Sequence, residues 1–230
     1  MRRALAWRMV IRIVALITVV LLVSAVVSWG VNDLFTIRNV EVSGEGIQIA
    51  VDPAKLPRNI LFFPVDRVTQ QILKEYPLVG SVIIKKTYPS TLVIVAVPRK
   101  PFAIVGIGRE TYELDADGVV LLQYPSETNL PIIGIATRAL QPGMKVSDPA
   151  VTAAIQFLRE TASFLVVSDI IVFETLSLQA HAYTMSIVFP QNARFPILAR
   201  TLQTVIAGFR IKGKLPQTVD LRFDKPVVTF

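Results

Sequence analysis

The chain has no cysteine and only one histidine among its 230 residues. Without cysteine it cannot form a disulfide, a thiolate metal site or a cysteine nucleophile, so hydrophobic cores and sheets must stabilise it. His181 lies among apolar residues of an expected strand, and we interpret it as a structural side chain. The G-x-S-x-G, H-E-x-x-H and phosphate-loop motifs are also missing from the sequence. These absences predict a protein that is not an enzyme and that has no cofactor or metal.

Charge is also modest outside the first twelve residues. The formal net charge is +7, and four of the 24 basic residues are the arginines at positions 2, 3, 8 and 12. The remaining positive bias is mild and predicts no binding of nucleic acid. Asp115-Ala116-Asp117-Gly118 begins like a calcium loop, but further acidic ligands do not follow. Because Asp-Gly between two apolar runs is typical of a hairpin, we interpret these aspartates as turn residues.

The N-terminal region contains the one long apolar run. Arg2, Arg3, Arg8 and Arg12 precede Ile13–Asn32, which has no charged residue. About 20 apolar residues match the ~30 Å hydrocarbon core of a bilayer. We therefore expect a single transmembrane helix, with Arg12, Ile13, Val27 and Trp29 as anchor residues. The positive-inside rule places the N-terminus in the cytoplasm and most of the chain outside it, in a single-pass protein of the cell (inner) membrane.

A cleaved signal peptide is the alternative interpretation of the same run. Val23-Ser24-Ala25 has the small residues that signal peptidase requires, and Ile13–Leu22 would be the apolar segment before it. Against cleavage, the run continues through Val26 and Val27.

Residues 34–99 predict a small α/β module. Alternation of apolar and polar residues indicates strands, and apolar residues at helical spacing indicate a helix that Pro77 ends. Two prolines leave room for only a short helix before it. In chain order we expect a strand at Phe35–Val42, a short helix at Asp52–Arg58, a helix at Val65–Tyr76, and strands at Val79–Lys86 and Thr91–Val97.

Residues 100–230 predict a β-rich domain with two helices. Asp148-Pro149 marks the start of the first helix, because Asp caps free amides and Pro fits the first helical position. The second helix follows Pro196. Their inward faces are expected to carry Val151, Ile155, Leu158 and Ala162, and then Leu198, Leu202, Val205, Ile206 and Phe209. We expect strands at Phe102–Val105, Thr111–Leu114, Val119–Leu122, Asp169–Thr175, Ser177–Ala182, Met185–Phe189, Thr218–Phe223 and Val227–Phe230.

The last of these strands has two interpretations. Pro226 is tolerated at the edge or the start of a strand, so Val227–Phe230 is a candidate edge at which another chain can add a strand. Alternatively, the segment only completes the sheet.

Several short motifs follow one another along the chain. They are Phe35-x-Ile37-x-x-Val40-x-Val42-x-Gly44, Asn59-Ile60-Leu61, Tyr76-Pro77-x-Val79-x-Ser81, Tyr88-Pro89-Ser90-Thr91-Leu92, Arg99-x-Pro101-x-Ala103, Asp117-Gly118 and Asp220-Leu221-Arg222-Phe223. Taken together, they resemble the FtsQ/DivIB family of bacterial cell-division proteins.

The resemblance implies an α+β fold in three parts. These are a short cytoplasmic tail and transmembrane anchor (residues 1–33), a POTRA-like domain (34–99) and a β domain of the FtsQ type (100–230). It also implies a non-enzymatic divisome scaffold at the division site that supports septal wall synthesis. The partners would be small bitopic proteins of the FtsB/DivIC and FtsL types and other divisome proteins, with no small-molecule substrate. The implied partner-binding residues are Leu221, Phe223, Val227, Val228, Thr229 and Phe230.

Three other functions remain open. A POTRA-bearing factor of envelope export or assembly would normally show repeated modules or a barrel, and neither is visible in the sequence. A periplasmic binding protein would require cleavage after Ala25. A membrane-anchored hydrolase would require polar side chains that converge only in the folded chain.

Overall fold

The computed structural model describes residues 14–24, 29–30, 33–44, 46–47, 49–108, 110–125, 129–134, 140–211 and 213–230. Among these residues, no helix combines the length and the apolar composition needed to cross a bilayer. The predictions of a transmembrane helix and of a single-pass cell-membrane protein are therefore wrong.

Most of the residues predicted to form the membrane anchor are not among the described residues. Trp29 is described and its side chain is exposed. The other anchor residues, the N-terminal arginines and the candidate cleavage residue lie outside the described residues: Arg2, Arg3, Arg8, Arg12, Ile13, Ala25 and Val27.

The rest of the chain is an α+β protein that divides into two compact units. One unit comprises the described residues of Met1–Glu75 and Ser81–Pro98, and the other comprises Tyr76–Gly80 and Arg99–Phe230. The short segment Tyr76–Gly80 thus belongs with the second unit, although the chain on both sides of it belongs with the first.

A three-stranded sheet forms the first unit. Its elements are β1 (Asn39–Gly44), a 3₁₀ helix at Pro53–Lys55, α1 (Val65–Glu75), β2 (Val79–Thr87, whose first two residues belong to the second unit) and β3 (Thr91–Pro98). The strand order is β1-β3-β2, with β1 parallel to β3. In α1 the spacing of Val68 and Ile72 puts both side chains in the core, as the helical pattern predicted. The proline-containing segment before α1 forms one short turn, which Asp52 caps through the Ala54 N–H at 2.9 Å.

A nine-stranded sheet forms the second unit. Its strands are β4 (Ala103–Ile107), β5 (Glu110–Leu114), β6 (Val120–Gln123), β7 (Ile132–Gly134), β8 (Asp169–Glu174), β9 (Ser177–Ala182), β10 (Met185–Pro190), β11 (Thr218–Asp220) and β12 (Val227–Thr229), with helices α2 (Pro149–Thr161) and α3 (Phe195–Ile211). The strand order is β12-β11-β10-β9-β8-β7-β4-β5-β6. The pairs β7–β8 and β10–β11 are parallel. Parallel neighbours need a crossover connection, which α2 and α3 supply.

The core of the second unit lies between its sheet and the two helices. Val151, Ile155 and Leu158 of α2 are buried, as predicted from their spacing, and α3 contributes Leu198 and Leu202. Three phenylalanine rings join α2, β10 and α3. Phe157 stacks on Phe189 with ring centroids 4.2 Å apart, and Phe189 meets Phe195 edge-on at 6.2 Å.

Several elements differ from the sequence prediction. Strand β1 begins at Asn39, four residues after the start of the strand expected at Phe35–Val42. The strand expected at Thr218–Phe223 ends at Asp220, because the Asp220 carboxylate accepts the Arg222 N–H at 3.0 Å and turns the chain. The strand β7 was not predicted. The hairpin turn after β5 is confirmed: Gly118 has φ +79°, and the Asp115 carboxylate accepts the N–H groups of Asp117 and Val119.

Candidate functional site

The C-terminal strand β12 lies at one end of the nine-stranded sheet. It pairs antiparallel with β11, with Thr218 opposite Thr229, Val219 opposite Val228 and Asp220 opposite Val227. Within the described ranges no strand pairs with its other side. An edge strand presents unpaired backbone N–H and C=O groups on its outer side. This outer side of β12, with the residues around it, is the candidate site.

The structure places the six predicted partner-binding residues in different environments. Leu221 is only 8% exposed and packs in the core, with its N–H donating to the Val188 carbonyl at 2.8 Å. By contrast, Phe223 is 59% exposed, and Val227 and Phe230 are both 51% exposed. Val228 is half-buried and Thr229 is exposed. Leu221 therefore supports the segment from within, while the other five surround an accessible edge.

A groove of about 300 Å³ lies beside this edge, between residues 221–226 and the start of α3. Ile197 and Thr201 line it from the helix, and Phe223 and Pro226 line it from the other side. The side chains of Ile197 and Phe223 are both largely exposed. The groove thus offers apolar contact area next to strand β12.

Arg222 holds the chain between β11 and β12 in place. Its guanidinium donates to Asp220 at 2.7 Å and to Glu174, at the end of β8, at 2.8 Å. It also lies over the rings of Phe173 at 5.5 Å and Phe223 at 5.8 Å, within the range of cation–π attraction. Phe223 is therefore oriented by a cation that is itself held by two carboxylates.

These contacts shift the pKa values of the pair. The hydrogen bond from Arg222 lowers the pKa of the Asp220 carboxyl, although partial burial opposes the shift. The hydrogen bonds to Asp220 and Glu174 raise the pKa of Arg222 above its ordinary value. Both side chains are therefore charged at neutral pH.

Phe230 is held at the other end of β12. Its ring meets Phe209 of α3 edge-on, with centroids 5.2 Å apart, and the ammonium of Lys214 lies 4.5 Å from its centroid. This contact explains why Phe209, predicted on the inward face of α3, lies at the margin of the core. The two aromatic side chains that flank β12 are thus both fixed by neighbours.

Unpaired positive charge borders the groove. Arg194 and Lys225 are exposed, and within the described part of the chain neither forms a salt bridge. Arg194 lines the groove together with Asp224, and Lys225 follows Asp224 in the chain. The unpaired positive charge at this end of the sheet therefore favours a partner with acidic side chains.

Sequence reasoning identified the apolar C-terminal segment but missed the groove, Arg222 and Phe173. No spacing pattern in the sequence marks the groove, because it forms where residues 221–226 lie beside the start of α3. Among the described residues, no group of three or more His, Cys, Asp or Glu side chains is placed to hold a metal ion. No known protein family matches the chain, and no curated protein matches it either.

Proposed function

We propose that this protein is a binding scaffold that captures a segment of a partner protein by strand addition to β12. On the resemblance to FtsQ/DivIB, the partner is a small bitopic division protein of the FtsB/DivIC or FtsL type. The observation that carries the proposal is the position of β12 at the end of the sheet, with exposed apolar side chains around it.

Among the residues that the structure describes, the edge lacks the devices by which proteins usually block strand addition. Charged side chains, proline within the strand or a covering loop protect most edges. Val227, Val228 and Thr229 carry no charge, and Pro226 precedes the strand instead of interrupting it. An extended partner segment would gain main-chain hydrogen bonds along β12 and side-chain contacts on alternate residues.

The groove and its charges give the edge specificity. A partner segment that continues past β12 would place an apolar side chain against Phe223 and Ile197. An acidic residue of the partner would meet Arg194 or Lys225. Charge complementarity of this kind raises the rate of association and excludes partners of the wrong charge.

The test is binding of a fluorescent peptide from the C-terminal region of an FtsB/DivIC-type protein of the same organism, followed by fluorescence anisotropy. Because an anchoring aromatic residue often contributes ~2 kcal/mol or more, we expect Phe223→Lys to weaken binding at least tenfold. Leu122→Lys is the matched control. It places the same charge on β6, the strand at the opposite end of the sheet, where Leu122 is also exposed.

Two outcomes would contradict the proposal. One is equal binding by the Phe223→Lys and Leu122→Lys variants. The other is unchanged binding by a folded truncation after Phe223, which removes β12 altogether. Lys225→Glu tests the charge argument separately. We expect this substitution to weaken the binding of an acidic peptide more than that of a neutral peptide of the same length.

A further inference from the structure

Three polar side chains stand opposite one another on neighbouring strands of the second unit. In the antiparallel register, Asp169 of β8 faces His181 of β9, and His181 faces Ser186 of β10. Side chains directly opposite on antiparallel strands lie on the same face of a sheet. The residues that follow Asp169 and Ser186, Ile170 and Ile187, are fully buried on the other face. The polar row therefore lies on the face away from the core.

Hydrogen bonds connect the first two members of the row. His181 Nδ1 lies 2.7 Å from Asp169 Oδ2, and both side chains are 36% exposed. Ser168 Oγ donates to the other carboxylate oxygen of Asp169 at 2.9 Å. An imidazole whose Nδ1–H donates to a carboxylate presents Nε2 as a proton acceptor. His181 is thus oriented as a base, with Nε2 beside the Gln179 side chain of the same strand.

Gln179 links that base to a hydroxyl. Its side-chain Nε2 lies 3.2 Å from His181 Nε2 and donates to Ser186 Oγ at 2.6 Å. The amide therefore lies between the imidazole and the hydroxyl. A carbonyl group that accepted both N–H groups of the amide would free both His181 Nε2 and Ser186 Oγ.

We propose that this row is an acyl-transfer site, at which Ser186 accepts an acyl group from an ester. The Ser186 oxygen attacks the ester carbonyl carbon while its proton passes to His181 Nε2. The carbon–oxygen bond to the alcohol then breaks, and the alcohol leaves with that proton. Water, deprotonated by the same imidazole, hydrolyses the acyl-serine and restores both groups.

Two residues assist the step. Asp169 is a positioning residue that holds the imidazole in the productive tautomer and stabilises the imidazolium. Gln179 supplies an N–H beside the reacting centre for the oxygen that becomes negative in the transition state. Side-chain amides have this role in other acyl-transfer sites.

The open sheet face determines the class of ester. Ile132, opposite Asp169, and Ile171, opposite Gln179, are 48% and 38% exposed. They offer an apolar surface beside the row on which a short acyl chain can lie. The site therefore suits a short acyl group, such as acetyl, carried on an extended molecule.

The test uses a fluorophosphonate probe on the full chain, with intact mass and peptide mapping as the readout. We expect one label at Ser186 and none in Ser186→Ala. Because general-base catalysis contributes about 10²–10⁴-fold, His181→Ala should lower the labelling rate about 100-fold or more, and added imidazole should restore part of it. Asp169→Asn should also slow labelling, with Asp169→Glu restoring part of the rate.

Ser81→Ala is the matched control, because Ser81 is an exposed strand serine of β2. His181 is the single histidine of the chain, so only a serine beside it can have an imidazole base. A label elsewhere than Ser186, no label at all, or equal labelling of the natural protein and His181→Ala would overturn the proposal. If Ser186→Ala fails to fold, peptide mapping of the labelled natural protein still shows whether Ser186 carries the label. Peptide binding at β12 is measured separately, so the two proposals fail independently.

Discussion

The guanidinium of Arg99 is paired with the Asp115 carboxylate, and both side chains are largely buried, with 17% and 7% of their surface exposed. The same guanidinium reaches Asp117 at 3.0 Å, and Arg99 Nε donates to the Pro77 carbonyl at 2.9 Å. Burial lowers the pKa of Arg99, but the hydrogen bonds and charges of the two aspartates outweigh it and raise that pKa above its ordinary value. Arg99 therefore holds the segment Tyr76–Gly80 against the β5–β6 turn of the second unit.

Removal of this cation should destabilise the second unit. We expect Arg99→Met to lower the free energy of unfolding by about 3 kcal/mol, because it leaves the buried Asp115 charge without its partner. Urea denaturation followed by circular dichroism measures the change. Arg38→Met is the matched control, since Arg38 pairs with Asp33 at 3.4 Å in an exposed position. Loss of an exposed pair should cost about 1 kcal/mol or less. Equal losses in both variants would show that Asp115 is not held as described.

The N-terminal cap of α2 gives a second prediction. Asp148 accepts the backbone N–H groups of Ala150 at 2.8 Å and Val151 at 3.3 Å. We expect Asp148→Ala to lower the free energy of unfolding by about 1 kcal/mol. Asp148→Asn should keep most of the stability that the cap provides, because asparagine caps as well as aspartate. Thermal denaturation of the natural protein, Asp148→Ala and Asp148→Asn measures these differences in stability. An Asn variant as unstable as the Ala variant would mean that charge, and not the hydrogen bond, stabilises the cap.

Acidification should weaken the segment around Arg222. The pKa of Asp220 is lower in the folded protein than in the unfolded chain, since Arg222 donates hydrogen bonds to its carboxylate. The unfolded state therefore binds the proton first, so this stabilisation is present above an unfolded pKa of about 4 and is lost as the pH falls through the folded value.

Denaturation of the natural protein and of Asp220→Asn at pH 6 and pH 3 tests this. We expect Asp220→Asn to be less stable at pH 6 and the difference to shrink at pH 3. A difference that stays constant between the two pH values would mean that the Asp220 charge has no such role.

The aromatic core of the second unit should tolerate truncation poorly. Phe157 and Phe189 are fully buried and their rings are nearly parallel, with an interplanar angle of 9°. We expect Phe189→Ala to lower the free energy of unfolding by about 3–5 kcal/mol, since it leaves a cavity between β10 and α2. Phe173→Ala, at a 45% exposed position, should cost about 1 kcal/mol or less. Chemical denaturation of both variants gives the comparison.

The elements that the sequence predicted well are those with a local cause. Helix α1 follows from apolar spacing and Pro77, and helix α2 follows from the Asp148-Pro149 start. The β5–β6 hairpin follows from Asp117-Gly118. In each case the determining residues lie within one or two turns of one another, so tertiary contacts are not needed to identify the element.

The elements that were missed depend on distant partners. Strand β7 has only three residues, and it is a strand because β4 and β8 pair with its two sides. The end of β11 is set by a side-chain hydrogen bond that no hydropathy pattern reveals. The N-terminal apolar run predicted a membrane anchor from composition alone, whereas no helix among the described residues is long and apolar enough to cross a bilayer.

The sequence by itself determined the α+β class, the two long helices of the second unit and the apolar C-terminal segment, because each depends on residue types and their spacing along the chain. Only the tertiary structure decided that β12 is a sheet edge, that Arg222 joins Phe173 to Phe223, and that Asp169, His181 and Ser186 share one row. These arrangements depend on strand order and register, which bring together residues far apart in the chain. The pattern of residues along the chain does not reveal which strands pair.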